Sequence, residues 1–154
     1  MATTVSASTL TVTLKESIVL NGTTYTQNIT KEFSSIKNVS KKIVSCPSSN
    51  TTTIATFSSN VYDSAGALDQ ELTAYIRITN LDDSNDVKLA LVGDATLYQI
   101  TLRAGQTHIL GSPDLAMLAE ADTSPSFGTM ADIDTIQVNP GANDVDVELF
   151  VAVT

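Results

Sequence analysis

The only imidazole and the only thiol in the chain belong to His108 and Cys46, the residues on which nucleophilic catalysis would have to depend. No Gly-X-Ser-X-Gly turn surrounds any serine, so a Ser–His–Asp triad would have a base but no recognisable nucleophile. Cys46 and His108 make a formal thiol–imidazole pair, but their spacing does not imply proximity. We therefore expect no catalytic residues, no enzyme activity and no cofactor.

A second chemistry is open to the carboxylates of the turn after residue 80. Asp82, Ser84 and Asp86 have the spacing of the first half of a calcium loop. The sixth position is Val87 instead of Gly and the twelfth is Gly93 instead of Glu, which excludes an EF-hand. A looser calcium site at Asp82 and Asp86 stays open, and so does an Asx-rich turn without metal. One His and one Cys cannot make a four-ligand zinc site, so we expect no zinc or iron.

Two further groups of carboxylates are spaced by two residues, which places each group on one face of a strand. They are Asp132 with Asp134, and Asp144 with Asp146 and Glu148. Paired carboxylates can hydrolyse glycosides. Because these residues alternate with aliphatic ones, we expect a solvent-facing side instead.

Charge is distributed unevenly along the chain. Residues 1–60 carry five lysines and two glutamates, a net +3, whereas residues 61–154 carry three basic and 15 acidic side chains, a net −12. An acidic surface repels phosphate backbones, so we expect no nucleic-acid partner. Lys37, Lys41 and Lys42 form the one basic cluster, which is too small and too poor in aromatics to change that expectation.

The elements that position these side chains are predicted to be strands. Apolar and polar residues alternate in many short runs, and Asn21-Gly22 is a strong hairpin signal between two of them. A second hairpin is predicted across Pro47–Asn50, and the last run alternates so cleanly that we expect it well inside a sheet. The predicted strands are 10–20, 23–33, 39–46, 51–57, 72–79, 87–92, 96–102, 107–110, 133–138 and 145–153.

This pattern predicts an all-β fold, a single-domain β-sandwich or jelly roll with one short helix. The helix is predicted at residues 113–121, with Ser112 as its cap and Pro113 at its first position. We expect a flexible N-terminal arm at residues 1–8 and one sandwich domain at 9–154. The longest apolar runs are only a few residues, so we expect no membrane span.

Several segments, in order along most of the chain, resemble small virion structural proteins of tailed bacteriophages, particularly marine ones. The central segment reads Tyr-Ile-Arg-Ile-Thr-Asn-Leu-Asp-Asp, and the similar segments lie at 17–25, 41–47, 75–83, 131–138 and 144–151. The resemblance implies a non-enzymatic capsid decoration protein that binds and stabilises neighbouring major capsid subunits. It also implies a place on the virion, after assembly in the host cytoplasm.

If so, the partners are the major capsid protein or other virion proteins, and a homo-oligomer is a further possibility. For the contact itself we expect Val5 in the N-terminal arm, together with Lys37, Lys41 and Lys42. Two alternatives stay open. One is a neck, tail or fibre component, and the other is a carbohydrate-binding β-sandwich that would use its tyrosines, Tyr25, Tyr62, Tyr75 and Tyr98, as platforms.

Overall fold

The computed structural model describes residues 4–94, 96–120 and 124–154, and it confirms the predicted all-β sandwich. Within these ranges no helix is long and apolar enough to cross a membrane. A 3₁₀ turn lies at Val61–Asp63. The described strands are β1 (Ser8–Leu20), β2 (Thr23–Ile36), β3 (Asn38–Cys46), β4 (Thr52–Ser58), β5 (Leu68–Asp69), β6 (Thr73–Asn80), β7 (Val87–Val92), β8 (Leu97–Leu102), β9 (Thr107–Leu110), β10 (Thr135–Asn139) and β11 (Val145–Val153).

Two sheets form the body of the molecule. One has the strand order β5-β4-β10-β7-β8 and the other the order β3-β11-β6-β9, and their inner aliphatic side chains form one core cluster. As predicted, the last strand lies inside its sheet, where β11 pairs with β3 on one side and β6 on the other. Its alternation puts Val147, Leu149 and Val151 into the core at 0% exposure, because successive side chains of a strand point to opposite faces.

The third sheet is a long two-stranded ribbon made of β1 and β2 alone. Its strands are joined by Asn21 and Gly22 at φ 50° and 78°, the left-handed conformation that a two-residue hairpin turn requires. Near the base of the ribbon the register shifts by one residue, and Ser35 there has φ 63°. A bulge of this kind bends a strand and redirects its side chains. It allows both Phe33 and Ile36 to pack beside Tyr75.

The predicted helix at 113–121 is wrong for the residues that the structure describes there, 113–120, and Ala121 lies outside the described residues. Leu115 has φ 46°, and its amide donates to the Asp132 carboxylate at 2.8 Å. Met117 then forms an antiparallel bridge with Ala131. About nine residues of helix are marginal alone, and here local pairing with a neighbouring segment satisfies the backbone instead.

The predicted second hairpin across Pro47–Asn50 is also wrong. The strands on either side of it, β3 and β4, lie in different sheets, so this link crosses from one layer of the sandwich to the other. Ser49 has φ 61° in the link, and its amide donates to the Gly141 carbonyl. Apolar alternation locates strands, but it does not say which sheet each one joins.

Asn80, at the end of β6, fixes the turn to β7 from inside the core. Its amide nitrogen donates to the carbonyls of Asn85 at 2.8 Å and Leu102 at 3.2 Å. Its amide oxygen accepts from the Asp82 backbone at 3.0 Å. Asn80 itself is 0% exposed, so the side chain replaces the partners that these backbone groups would otherwise find in water.

We predict that Asn80→Ala lowers the free energy of unfolding by about 2 to 3 kcal/mol, because it leaves buried backbone groups without partners. Asn143→Ala is the matched control, since the exposed Asn143 makes one side-chain hydrogen bond to Asn85 at 2.8 Å. The control should change stability by less than about 0.5 kcal/mol. Urea unfolding of both variants measures the difference, and equal losses would show that Asn80 is not a structural anchor.

Candidate functional site

The sheet keeps the imidazole and the thiol apart. Cys46 lies on β3 and His108 on β9, at opposite edges of the order β3-β11-β6-β9. Three strand spacings alone put at least roughly 14 Å between them, and the register offsets them further, since Cys46 is level with Val145 and His108 with Leu149. Cys46 is 0% exposed, and burial raises the pKa of its thiol, so it is a poor nucleophile. The arrangement brings no thiol–imidazole pair together.

His108 instead lines a pocket of about 310 Å³ at the open side of the sandwich, where the edge strands β8 and β9 lie. Thr96 lies in the same pocket, and it is 6% exposed. The hydroxyl of Thr96 and Nε2 of His108 are buried and have no hydrogen-bond partner among the described residues. The other lining residues are Leu91, Leu97, Tyr98, Leu110, Ala116, Met117, Leu118 and Ile133.

The lining of this pocket combines apolar side chains with a small number of polar groups. The lining is mostly apolar, and its two buried polar atoms without a partner among the described residues are one hydroxyl and one ring nitrogen. Burial lowers the pKa of His108 because desolvation disfavours the charged ring. Among the described residues of the lining, no carboxylate, lysine or thiol lies beside the imidazole.

The two calcium candidates are engaged by backbone amides. Oδ1 of Asp82 accepts from the amides of Ser84 and Asn85 at 2.8 and 2.7 Å, and these bonds lower the pKa of Asp82. Asp86 accepts from the Ala104 amide at 3.0 Å. In the described part of the chain no group of three or more His, Cys, Asp or Glu side chains is placed to hold a metal. Calcium binding by Asp82 and Asp86 stays a prediction.

The paired carboxylates do not form one solvent-facing row. Asp144 and Asp146 are exposed, and they accept from the Ser48 amide and the Ser45 hydroxyl. Glu148 is different, since its side chain is only 13% exposed. It pairs with Lys41 of β3 at 3.1 Å and with Arg77 of β6. These two cations lower the pKa of Glu148, so the expectation of a solvated carboxylate is wrong at this position.

The lysines expected to bind a partner do not share one face. Lys41 lies on the outer face of the second sheet beside Glu148. Lys42 is paired with the buried Leu149, so its Cβ points to the inner side of edge strand β3. Lys37 connects β2 to β3, where its amide donates to the Val153 carbonyl at 2.9 Å. Val5 is 63% exposed. Partner binding by these four residues stays a prediction.

The tyrosines do not form a common platform for sugar. Tyr75 is 5% exposed, with its ring 5.5 Å from that of Phe33 and 6.1 Å from that of Phe150. Tyr25, Tyr62 and Tyr98 are exposed, but they lie on the ribbon, the 3₁₀ turn and edge strand β8 respectively.

One face of the β1–β2 ribbon is only partly covered by the body of the molecule. At its base, Leu10, Val12 and Phe33 pack against the outer face of the second sheet, on Tyr75 and Phe150. The pairing register continues the same face toward the turn. There its apolar side chains are each 51 to 57% exposed, and we call this set the distal apolar face: Leu14, Ile18, Leu20, Tyr25 and Ile29.

The opposite face of the ribbon is polar. Two hydroxyl pairs cross it, Thr13 with Thr30 at 3.2 Å and Ser17 with Thr26 at 3.4 Å. Val19 is its one aliphatic member. Sequence alternation identified the two faces but gave no sign that the apolar one extends beyond the body. That fact follows from the ribbon forming a separate sheet.

Comparisons with known proteins identify no family. No family model and no curated protein matches the chain. A solved chain from a study titled "Bacillus endospore appendages form a novel family of disulfide-linked pili" is similar with a TM-score of 0.44 and 9% identity. The match covers 76% of this chain and 87% of that one. A likeness at this level identifies neither a family nor a function.

We predict that His108 makes the fold less stable as the pH falls below about 6.5, the ordinary pKa of the ring. The unfolded chain takes up a proton there, while the native ring, with its lowered pKa, does not, so acid favours unfolding until the pH passes below the native pKa. His108→Leu should lose this component. Urea unfolding of both proteins between pH 5 and 7.5 measures it, and parallel pH profiles would show that the ring titrates as it does in water.

Proposed function

We propose that this chain is a non-enzymatic structural protein that binds other protein subunits in an assembly. One observation carries the proposal, the exposed distal apolar face of the β1–β2 ribbon. Its five side chains, each more than half exposed, offer on the order of 500 Å² of apolar surface, at the upper end of what monomers expose as a patch. A surface of this kind is typical of protein–protein contact.

The ribbon is also expected to have low stability if its apolar face stays in contact with water. Isolated two-stranded hairpins are marginally stable at best, and they need a further layer on their apolar face. The body of the molecule supplies that layer only at the base, around Tyr75 and Phe150. From Leu14 to the turn, no described residue of the body supplies this layer, and we propose that another molecule does.

More specifically, we propose a capsid decoration protein on the particle of a tailed phage. The resemblance of the segments at 17–25 and 75–83 to small virion proteins supports this assignment, as does the shortage of catalytic groups around His108 and Cys46. The formal net charge of −9 keeps densely arrayed copies soluble. The N-terminal arm with Val5, and Lys37, Lys41 and Lys42, would then contact neighbouring major capsid subunits.

The prediction for this function concerns the arm. Deleting residues 2–8 should leave the melting temperature of the free protein within about 2 °C, because residues near a chain terminus add little to the stability of a domain. The same deletion should weaken binding to phage particles assembled with the genome that encodes the chain. Co-sedimentation of labelled protein with these particles measures binding, and Thr101→Ala on exposed β8 is the control.

Equal binding of the truncated and full-length proteins would exclude a role for the arm. Absence of the full-length chain from purified particles would exclude the virion assignment itself. Immunogold labelling separates the remaining alternatives, because a decoration protein covers the head, whereas a neck, tail or fibre component labels one end of the particle.

A further inference from the structure

The distal apolar face also indicates which molecule covers it. This inference rests on the proposed function, since it names the partner at the same surface. We propose that the occupant is a second copy of this chain, whose own ribbon packs face to face against the first.

Charge is the first argument for a second copy. Residues 8–36, which contain the ribbon, hold Lys15, Glu16, Lys31 and Glu32 and are electrically neutral, so the remaining residues carry the whole net charge of −9. Two bodies of this chain repel each other at close range. Two ribbons do not, and they extend the contact away from the acidic bodies.

Self-complementarity is the second argument. A twofold contact pairs the same surface patch on both subunits, so the shape and charge of that patch must be complementary to themselves. The apolar side chains of this face can pack against identical side chains, because apolar contacts, unlike contacts between like charges, are not repulsive. They include Leu14, Ile18, Tyr25 and Ile29. Of the four ribbon charges, only Glu16 and Lys31 lie on the apolar face, and these two have opposite sign.

The third argument is size. Two distal apolar faces together bury about 1,000 Å², the area at which a biological interface becomes plausible. The contact stacks one ribbon on another at about 10 Å, the spacing of sheets in a sandwich. It therefore supplies each ribbon with the second layer that a two-stranded sheet lacks, and the polar faces with Thr13 and Thr26 remain in solvent.

The test uses two neighbouring residues on opposite faces of β1. Ile18 is 57% exposed on the apolar face and Val19 is 67% exposed on the polar face. Ile18→Lys should weaken the dimer at least about tenfold, because it buries an unpaired charge in the contact. Val19→Lys makes the same chemical change on the polar face, and it should leave the dimer within about threefold of wild type.

Sedimentation equilibrium of the full chain measures the dissociation constants, and circular dichroism checks that each variant is folded. If Ile18→Lys does not fold, Ile18→Thr combined with Ile29→Thr removes the apolar surface while keeping strand propensity. Either variant should be monomeric where wild type is dimeric.

A wild-type protein that stays monomeric at millimolar concentration would overturn the inference, and so would a dimer that Ile18→Lys leaves intact. The proposed function is tested separately on particles. A monomer that binds particles through the ribbon would leave the function standing without the dimer. A dimer that never binds particles would leave the dimer standing without the virion role.

Discussion

The structure depends on a single constraint, that an apolar sheet face must be covered. In the body, each of the two sheets covers the apolar face of the other, and three inner side chains of β11 are therefore 0% exposed. Within the described residues, the ribbon meets it only at its base, where Phe33 and Val12 lie against Tyr75 and Phe150. Over the next seven residues of β1, roughly 20 Å of strand, the same face continues without a second layer.

Charged side chains interrupt the second sheet at two places. The edge strand β3 carries Lys42 on its inner side. This charge would have to be buried if a strand of another molecule paired with the edge. Lys41 and Arg77 hold Glu148 across three strands and make the outer face of the second sheet polar at its centre. Most of the acidic residues lie on the body. The ribbon, which is electrically neutral, is the surface at which we propose association.

Period-two alternation was enough to predict the fold class, the turn at Asn21-Gly22, and strands β7, β9 and β11 with their observed bounds. It could not predict the partners of β3 and β4, because sheet membership depends on contacts distant in sequence. The sequence pattern also gave a wrong prediction at 113–120. The composition there favours a helix, but the backbone instead pairs with Ala131 and hydrogen-bonds to Asp132. The pocket at His108 and Thr96 could not be predicted from the sequence either, because its residues are brought together by edge strands that belong to different sheets.

Hydrogen exchange of the ribbon amides tests the central claim most directly. If a second copy covers the distal apolar face, protection of the amides from Leu14 to Leu20 and from Tyr25 to Ile29 should rise with protein concentration. Protection of β11 in the core should not change over the same range. Weak ribbon protection that is the same at micromolar and millimolar protein would contradict the claim.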